Sequence, residues 1–240
     1  MFKNKLKGFT LAEVLIAMTI VGVVAALTVP ALTSDTQAKS NKLKARKAYA
    51  TLTTAFDAGM SIADYRVGEI SSFKGQAPSL DDILGRTLKY KSTTRNRVSI
   101  KGYLPVSNCG AAHSADYVYN KTLQWCEKLG TGNVDALKMG DGAEILFIPK
   151  TNLDTTGCTL QSPCLALLDI NGAKEPNTVI MCTGGEDDRG WDKDTNDNYT
   201  NAPAACSIKD NAITDIYPLI IFEDTVEPAT GAAAAILEDS

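Results

Sequence analysis

The chain has 240 residues, 44% of them hydrophobic and 22% charged, with a formal net charge of −4. That length accommodates one sizeable core plus an anchor, and the ordinary composition excludes a disordered chain and a protein with many membrane spans. The charge is unevenly placed. Residues 1–47 hold eight Lys/Arg against Glu13 and Asp35, a balance of +6 that leaves −10 for the remainder, so the body lacks the basic character that non-specific nucleic-acid binding requires.

Residues 1–8 contain Lys3, Lys5 and Lys7 and no acid, and from Phe9 to Val29 the chain is apolar or small except for Glu13. As a helix that stretch is about 32 Å long, enough to cross a bilayer core. A secretory signal peptide cut near Ala25 and Ala26 fits poorly, because its apolar core is too long and contains a carboxylate. A plain single-pass anchor is not cleanly oriented by charge, since Lys39, Lys42, Lys44, Arg46 and Lys47 outnumber the three leader lysines. Neither accounts for Glu13, which near a bilayer centre costs ~2.5–3.5 kcal/mol and calls for a partner.

The run Lys7-Gly8-Phe9-Thr10-Leu11-Ala12-Glu13-Val14-Leu15-Ile16 resembles the cleavage and methylation motif of type IV pilins and type II secretion pseudopilins. The resemblance implies that a prepilin peptidase cuts after Gly8 and methylates the new amine of Phe9. It implies that Glu13 of an incoming subunit neutralises the Phe9 amine of a docked one, and that Gly22 and Pro30 weaken the helix. Elementary electrostatics agrees: cleavage creates a cation one helical turn from Glu13, and a first-turn carboxylate suits the helix macrodipole whereas an ammonium there opposes it.

Pro30 removes one helical hydrogen bond and predicts a kink or local opening, and the resemblance to pilins implies a stretchable element from Gly22 to Pro30. Helical periodicity then resumes in Ala45, Ala48, Leu52, Ala55, Phe56, Gly59 and Ala63, a small-residue stripe suited to packing on a sheet. The basic run Lys39–Lys47 is expected to be a solvated helix face, with anionic lipid or a neighbour's acidic body as the other possible contact. A short helix is predicted after Pro78-Ser79, where Ser79 and Asp82 form a weak capping box and Leu80, Ile83, Leu84 and Leu88 an apolar face. Strands are predicted at residues 98–104, 143–148, 164–170, 178–182 and 216–222, with a tight turn at Asn171-Gly172. The Ala-rich tail, residues 229–235, fits either a mobile end or a last helical turn. The fold class is α+β: a long N-terminal hydrophobic helix packed on a C-terminal antiparallel sheet, as in pilins. Its expected divisions are a leader (1–8), a transmembrane and polymerisation helix (9–30) and a head (31–240).

The six cysteines are Cys109, Cys126, Cys158, Cys164, Cys182 and Cys206, accompanied by a single histidine and no paired CxxC units. Zinc is therefore disfavoured, and three disulfides in an oxidising compartment are predicted. Sequential pairing (Cys109–Cys126, Cys158–Cys164, Cys182–Cys206) closes the shortest loops at the least entropic cost. His113 follows Cys109 by four residues and reads as an exposed neighbour of a bridged cysteine rather than half of a catalytic pair. No phosphate loop, nucleophile elbow or metalloprotease motif occurs, so no enzyme is expected.

Asp187, Asp188, Asp192, Asp194, Asn196, Asp197 and Asn198 crowd into one loop, and Asp192, Asp194, Asn196 and Asn198 alternate as oxygen donors. Calcium prefers such ligands, and some pseudopilins bind it in C-terminal loops. Yet Asp197 stands where an EF-hand loop has glycine and Pro203 where it has glutamate. A calcium site at Asp192, Asp194, Asn196 and Asn198 and a polar loop held by Cys182 and Cys206 both stay open. No other cofactor is expected.

The implied function is a structural subunit of a type IV pilus or type II secretion pseudopilus. Its implied partners are prepilin peptidase, other pilin or pseudopilin subunits, an inner-membrane assembly platform and membrane lipid. The precursor would cross the bacterial inner membrane once with its head in the periplasm. The competing class is a membrane-tethered periplasmic binding or adhesion protein that never polymerises.

Overall fold

In a computed structural model the described residues are 9–63, 84, 87–88, 90–96, 133–147, 158–161, 163–183, 191–196, 198–202, 204–222 and 224–238. Helix α1 (Leu11–Ala63) is followed by β1 (Tyr90–Asn96), β2 (Asn133–Met139), β3 (Glu144–Phe147), β4 (Cys164–Asp169), β5 (Asp192–Lys193), β6 (Tyr199–Asn201), β7 (Ile216–Ile221), β8 (Val226–Pro228) and helix α2 (Gly231–Leu237). Among the described residues, six strands form one antiparallel sheet in the order β1-β2-β3-β4-β7-β8, and β5 pairs with β6 apart from it. This is the α+β, pilin-like arrangement of a long helix on an antiparallel sheet.

The two periodicities of the sequence meet at the core. On α1, Ala38, Asn41, Ala45, Ala48, Leu52, Ala55 and Phe56 are buried, the three- and four-residue spacing that puts side chains on one helix face. On the sheet, Ile145, Ala166, Leu168, Tyr217, Leu219 and Ile221 join α1 and α2 in one cluster. Their neighbours Leu146, Leu165, Leu167, Ile216 and Ile220 turn to the opposite face, where they pack with Trp191, Tyr199 and Phe222. Strands β4 and β7 are thus buried on both faces, which is why they read as continuous apolar runs rather than alternating ones. Trp191 fixes the second layer, its Nε1–H donating to Pro228 O at 2.9 Å while its ring meets Phe222 edge-on at 4.9 Å.

Helix α2 resolves the Ala-rich tail as a buried helix. Thr230 caps it by accepting from Ala233 N at 3.2 Å. Seven residues are too few for an isolated helix, so its stability comes from packing on α1. Arg46 Nε donates to Ile236 O at 2.8 Å, satisfying a carbonyl at the end of α2, and Tyr49 OH donates to Val226 O at 2.9 Å. The basic run is therefore not uniformly solvated. Lys39, Leu43, Lys44 and Lys47 are exposed, whereas Lys42 and Arg46 are half-buried.

The segment between β4 and β7 is organised by a carboxylate. Asp215, fully buried, accepts from Asn171 Nδ2 at 3.0 Å and Asn177 N at 2.8 Å through Oδ2, and from Thr178 N at 2.8 Å through Oδ1. Asp169 Oδ1 accepts from Asn171 N. Gly172 (φ +67°) completes the turn at a place where a Cβ would come within 3.2 Å of Glu144 Oε1 and Gly142 O, so both conformation and space require glycine there. Among the described residues, the strand expected at residues 178–182 is replaced by isolated bridging at Thr178 and Val179, including a parallel bridge of Val179 with Ile216. The reason is a competing strand: beyond Ile216 that edge of β7 is taken by β8, with Ala229 N donating to Pro218 O at 2.9 Å, so Met181 and Cys182 have no ladder to join.

Cysteines 158 and 164 are joined, as are Cys182 and Cys206. With sequence separations of 6 and 24, loop closure alone gives roughly 2 and 3.5 kcal/mol respectively. Cys109, Cys126, His113 and the strand predicted at 98–104 lie outside the described residues. So do Ser79, Leu80, Asp82 and Ile83 of the predicted second helix, but Leu84 is helical and buried, and its carbonyl accepts from Leu88 N at 2.8 Å.

Candidate functional site

The candidate site is the start of α1. Thr10 is followed three residues on by Glu13, the pattern of a reciprocal helix cap. Glu13 Oε2 accepts from Thr10 N and from Thr10 Oγ1, both at 2.8 Å, while Glu13 N donates back to Thr10 Oγ1 at 3.3 Å. Val14 N donates to Thr10 O at 3.2 Å and closes the first turn. Both donors end on Oε2, so among the described residues Oε1 accepts nothing and is available to an external cation. The sequence signal for this partner of Glu13 is the Thr-x-x-Glu spacing of Thr10 and Glu13.

Beyond the cap, α1 is bare. Phe9 is 88% exposed, and the span Leu11–Thr28 has a mean hydropathy of 2.3 with none of it buried by the head. Among the described residues it is the one helix long and apolar enough to cross a membrane. Gly22 has no atom within 4 Å of where a Cβ would stand. Gly22 and Pro30 both lie inside unbroken helix, so the opening expected at Pro30 does not occur in the isolated chain. One lost hydrogen bond is absorbed by those on either side.

The acidic loop is built as a turn around Asp194. Its Oδ1 accepts from Asn196 N at 2.8 Å and Asn198 N at 2.9 Å, and its Oδ2 from Asn198 Nδ2 at 3.4 Å. The backbone bond from Asn198, more than any other contact, holds the Asp194 carboxyl below the usual range. Asp192 belongs to β5, opposite Asn201, while Asp187, Asp188 and Asp197 lie outside the described residues. Among the described residues no three His, Cys, Asp or Glu side chains are grouped to hold a metal ion. Internal bonds thus account for Asp194. Asp194→Ala is expected to lower the melting temperature equally in chelator and in millimolar calcium. Because the folded value is lowered, the stabilisation by Asp194 is full above the ordinary Asp range and fades as pH falls through the lowered one. Calorimetry checks this: a saturable calcium heat, removed by Asp192→Ala with Asp194→Ala, is the result that a cation site requires.

Residues 3–29 match the family described as the prokaryotic N-terminal methylation motif. No curated protein and no solved structure matches the chain. The motif implies processing by prepilin peptidase and assembly with other pilin subunits, and the proteins that carry it are structural rather than enzymatic. With the bare apolar helix it points to membrane anchoring and a pilus location. Over residues 3–29 the chain carries the signal of type IV pilins and pseudopilins, which supports a pilin-like precursor.

Proposed function

We propose that the chain is a filament subunit of a type IV pilus or type II secretion pseudopilus. Residues 1–8 form the leader, residues 9–30 the transmembrane and polymerisation helix, and residues 31–240 the head. The precursor crosses the inner membrane once with its head in the periplasm. Cleavage between Gly8 and Phe9 exposes the amine that is methylated, and subunits then pack through α1, the Glu13 of one facing the Phe9 amine of another. The observation that carries this reading is an apolar α1 half that the described head leaves uncovered, headed by a carboxylate whose Oε1 accepts nothing among the described residues. Outside lipid, a bare face of this kind demands cover by other apolar surfaces, and identical helices of neighbouring subunits supply it. Gly22 and Pro30, helical in the isolated chain, are the positions at which α1 would loosen within a filament.

Intact-mass analysis of the exported protein tests the processing step. The mature chain is expected to begin at methylated Phe9, and Gly8→Leu is expected to remain as full-length precursor in the membrane. A mature N-terminus near Ala26 overturns the proposal. An uncut full-length chain supports the tethered, non-polymerising class instead.

A further inference from the structure

Asn171-Gly172 is the one Asn-Gly pair in the chain. Such a pair is prone to a spontaneous reaction, because glycine has no side chain to shield its main-chain nitrogen. That nitrogen attacks the asparagine side-chain carbonyl and closes a succinimide ring. The N–Cγ bond forms, the Cγ–Nδ2 bond breaks, and the glycine amide proton leaves with the ammonia. Solvent water then opens the ring at either carbonyl, giving aspartate or the isomer whose main chain runs through the side-chain carboxyl. One water is consumed, one ammonia is released, and nothing is oxidised or reduced.

The folded head opposes each step. For attack, the Asn171 carboxamide must turn onto the following nitrogen, yet the residue is tethered twice. Asn171 N donates to Asp169 Oδ1 and Asn171 Nδ2 to Asp215 Oδ2, both at 3.0 Å. Both acceptor residues are fully buried, and Asp215 is itself fixed by Asn177 N and Thr178 N. Attack also places negative charge on Asn171 Oδ1. That oxygen is buried and accepts no hydrogen bond among the described residues, so the developing oxyanion has no donor to stabilise it. The departing nitrogen needs a proton, whereas Nδ2 faces an acceptor in Asp215 Oδ2.

Neither product fits the turn. Aspartate at position 171 puts an oxygen in place of the donor that faces Asp215 Oδ2, and two carboxylates that close cannot both stay ionised without cost. The isomer adds a methylene to the main chain beside Gly172. There φ is +67°, and even a Cβ would come within 3.2 Å of Glu144 Oε1 and Gly142 O.

We propose that Asn171-Gly172 is a self-modification site gated by the fold: shut in the folded head, reactive when the segment between β4 and β7 opens, and yielding a product that no longer rebuilds the turn. Local openings of this kind occur in every native protein at a frequency set by local stability. A head that opens repeatedly therefore accumulates the change and keeps a covalent record of having loosened. The chemistry is independent of the filament reading and holds whether or not the chain polymerises.

Peptide mapping of the detergent-solubilised full chain tests the gate. The chain is held at mildly alkaline pH in buffer and in concentrated urea. The peptide containing residue 171 is followed by its mass gain and by isoaspartyl methyltransferase labelling. In urea, Asn171 is expected to convert ahead of the other asparagines. In buffer its conversion is expected to be at least about tenfold slower, by the fraction of time the segment is open. Asp215→Asn, shown by its melting curve to be folded at the assay temperature, is expected to speed the reaction in buffer several-fold and leave the urea rate unchanged. Asn171→Asp, which makes the first product directly, is expected to lower the melting temperature by several degrees. Equal rates in buffer and urea, or a faster one in buffer, overturn the gate. No preference for residue 171 in urea overturns the site. An unchanged rate in folded Asp215→Asn removes the tether, and wild-type stability of Asn171→Asp overturns the misfit of the product.

Discussion

Glu13→Val is expected to insert into the membrane and be cleaved, but to lower filament yield by roughly two to four orders of magnitude. That size follows from the energetics of a desolvated charge pair: removing one partner leaves the other buried and uncompensated, at a cost of roughly 3–5 kcal/mol. Two further variants separate the two tasks assigned to this carboxylate. Thr10→Ala removes the hydroxyl that bonds Glu13 and loses an N-cap of ~1 kcal/mol, so its yield falls several-fold at most. Glu13→Gln keeps an oxygen that caps the helix but has no charge to offer an ammonium. If Glu13 serves only as a cap, Gln behaves like wild type. If it pairs with the Phe9 amine of a neighbour, Gln behaves like Val. Sheared-filament yield from cells expressing each variant without wild type measures the difference, and wild-type yield from Glu13→Val rules out the pairing.

What the sequence made legible follows from where each element gets its stability. Strands β4 and β7 are buried on both faces, so burial alone marks them as apolar runs, and the predicted ranges 164–170 and 216–222 fall within one residue of the observed ones. Strands β1 and β2 went unrecognised. Tyr90–Asn96 is almost wholly polar, and its ladder comes from the full register with Asn133–Met139; pairing of that kind leaves no periodic trace in either segment alone. Val226–Pro228 ends in a proline, which ordinarily argues against a strand, and is accommodated because β8 is an edge. The α1 stripe from Ala45 to Gly59 was readable because the helical period is long and unbroken. The distinction within the basic run was not, because whether Arg46 meets water or Ile236 O depends on a chain segment 190 residues away. The N-terminal methylation motif was the most legible part of all, since its signal is local: three lysines, Gly8-Phe9 and one acid in an apolar stretch.

The second large effect belongs to a residue that no motif marks. Asp215→Ala is expected to destabilise the head by roughly 3–5 kcal/mol, enough to leave a domain with ~5–15 kcal/mol of total stability near unfolding. Its carboxylate is fully buried and receives hydrogen bonds from Asn177 N, Thr178 N and Asn171 Nδ2. Truncation strands two backbone donors and one amide, and each buried unsatisfied group costs ~1–3 kcal/mol. Those donors also hold the path of the chain between β4 and β7, where Asn177 takes a left-handed conformation at φ +50° that costs energy unless its surroundings enforce it. Asp215→Asn separates charge and acceptor count from shape: it keeps one oxygen for one backbone N–H, but presents an NH2 group to the other, so its loss is intermediate rather than negligible. Asp224→Ala, on an exposed residue of the same formal charge, is expected to stay within ~0.5 kcal/mol of wild type. Urea denaturation of the detergent-solubilised full chain ranks the three. A ranking in which Asp215→Ala and Asp224→Ala coincide refutes the role of Asp215, because net charge would then explain both.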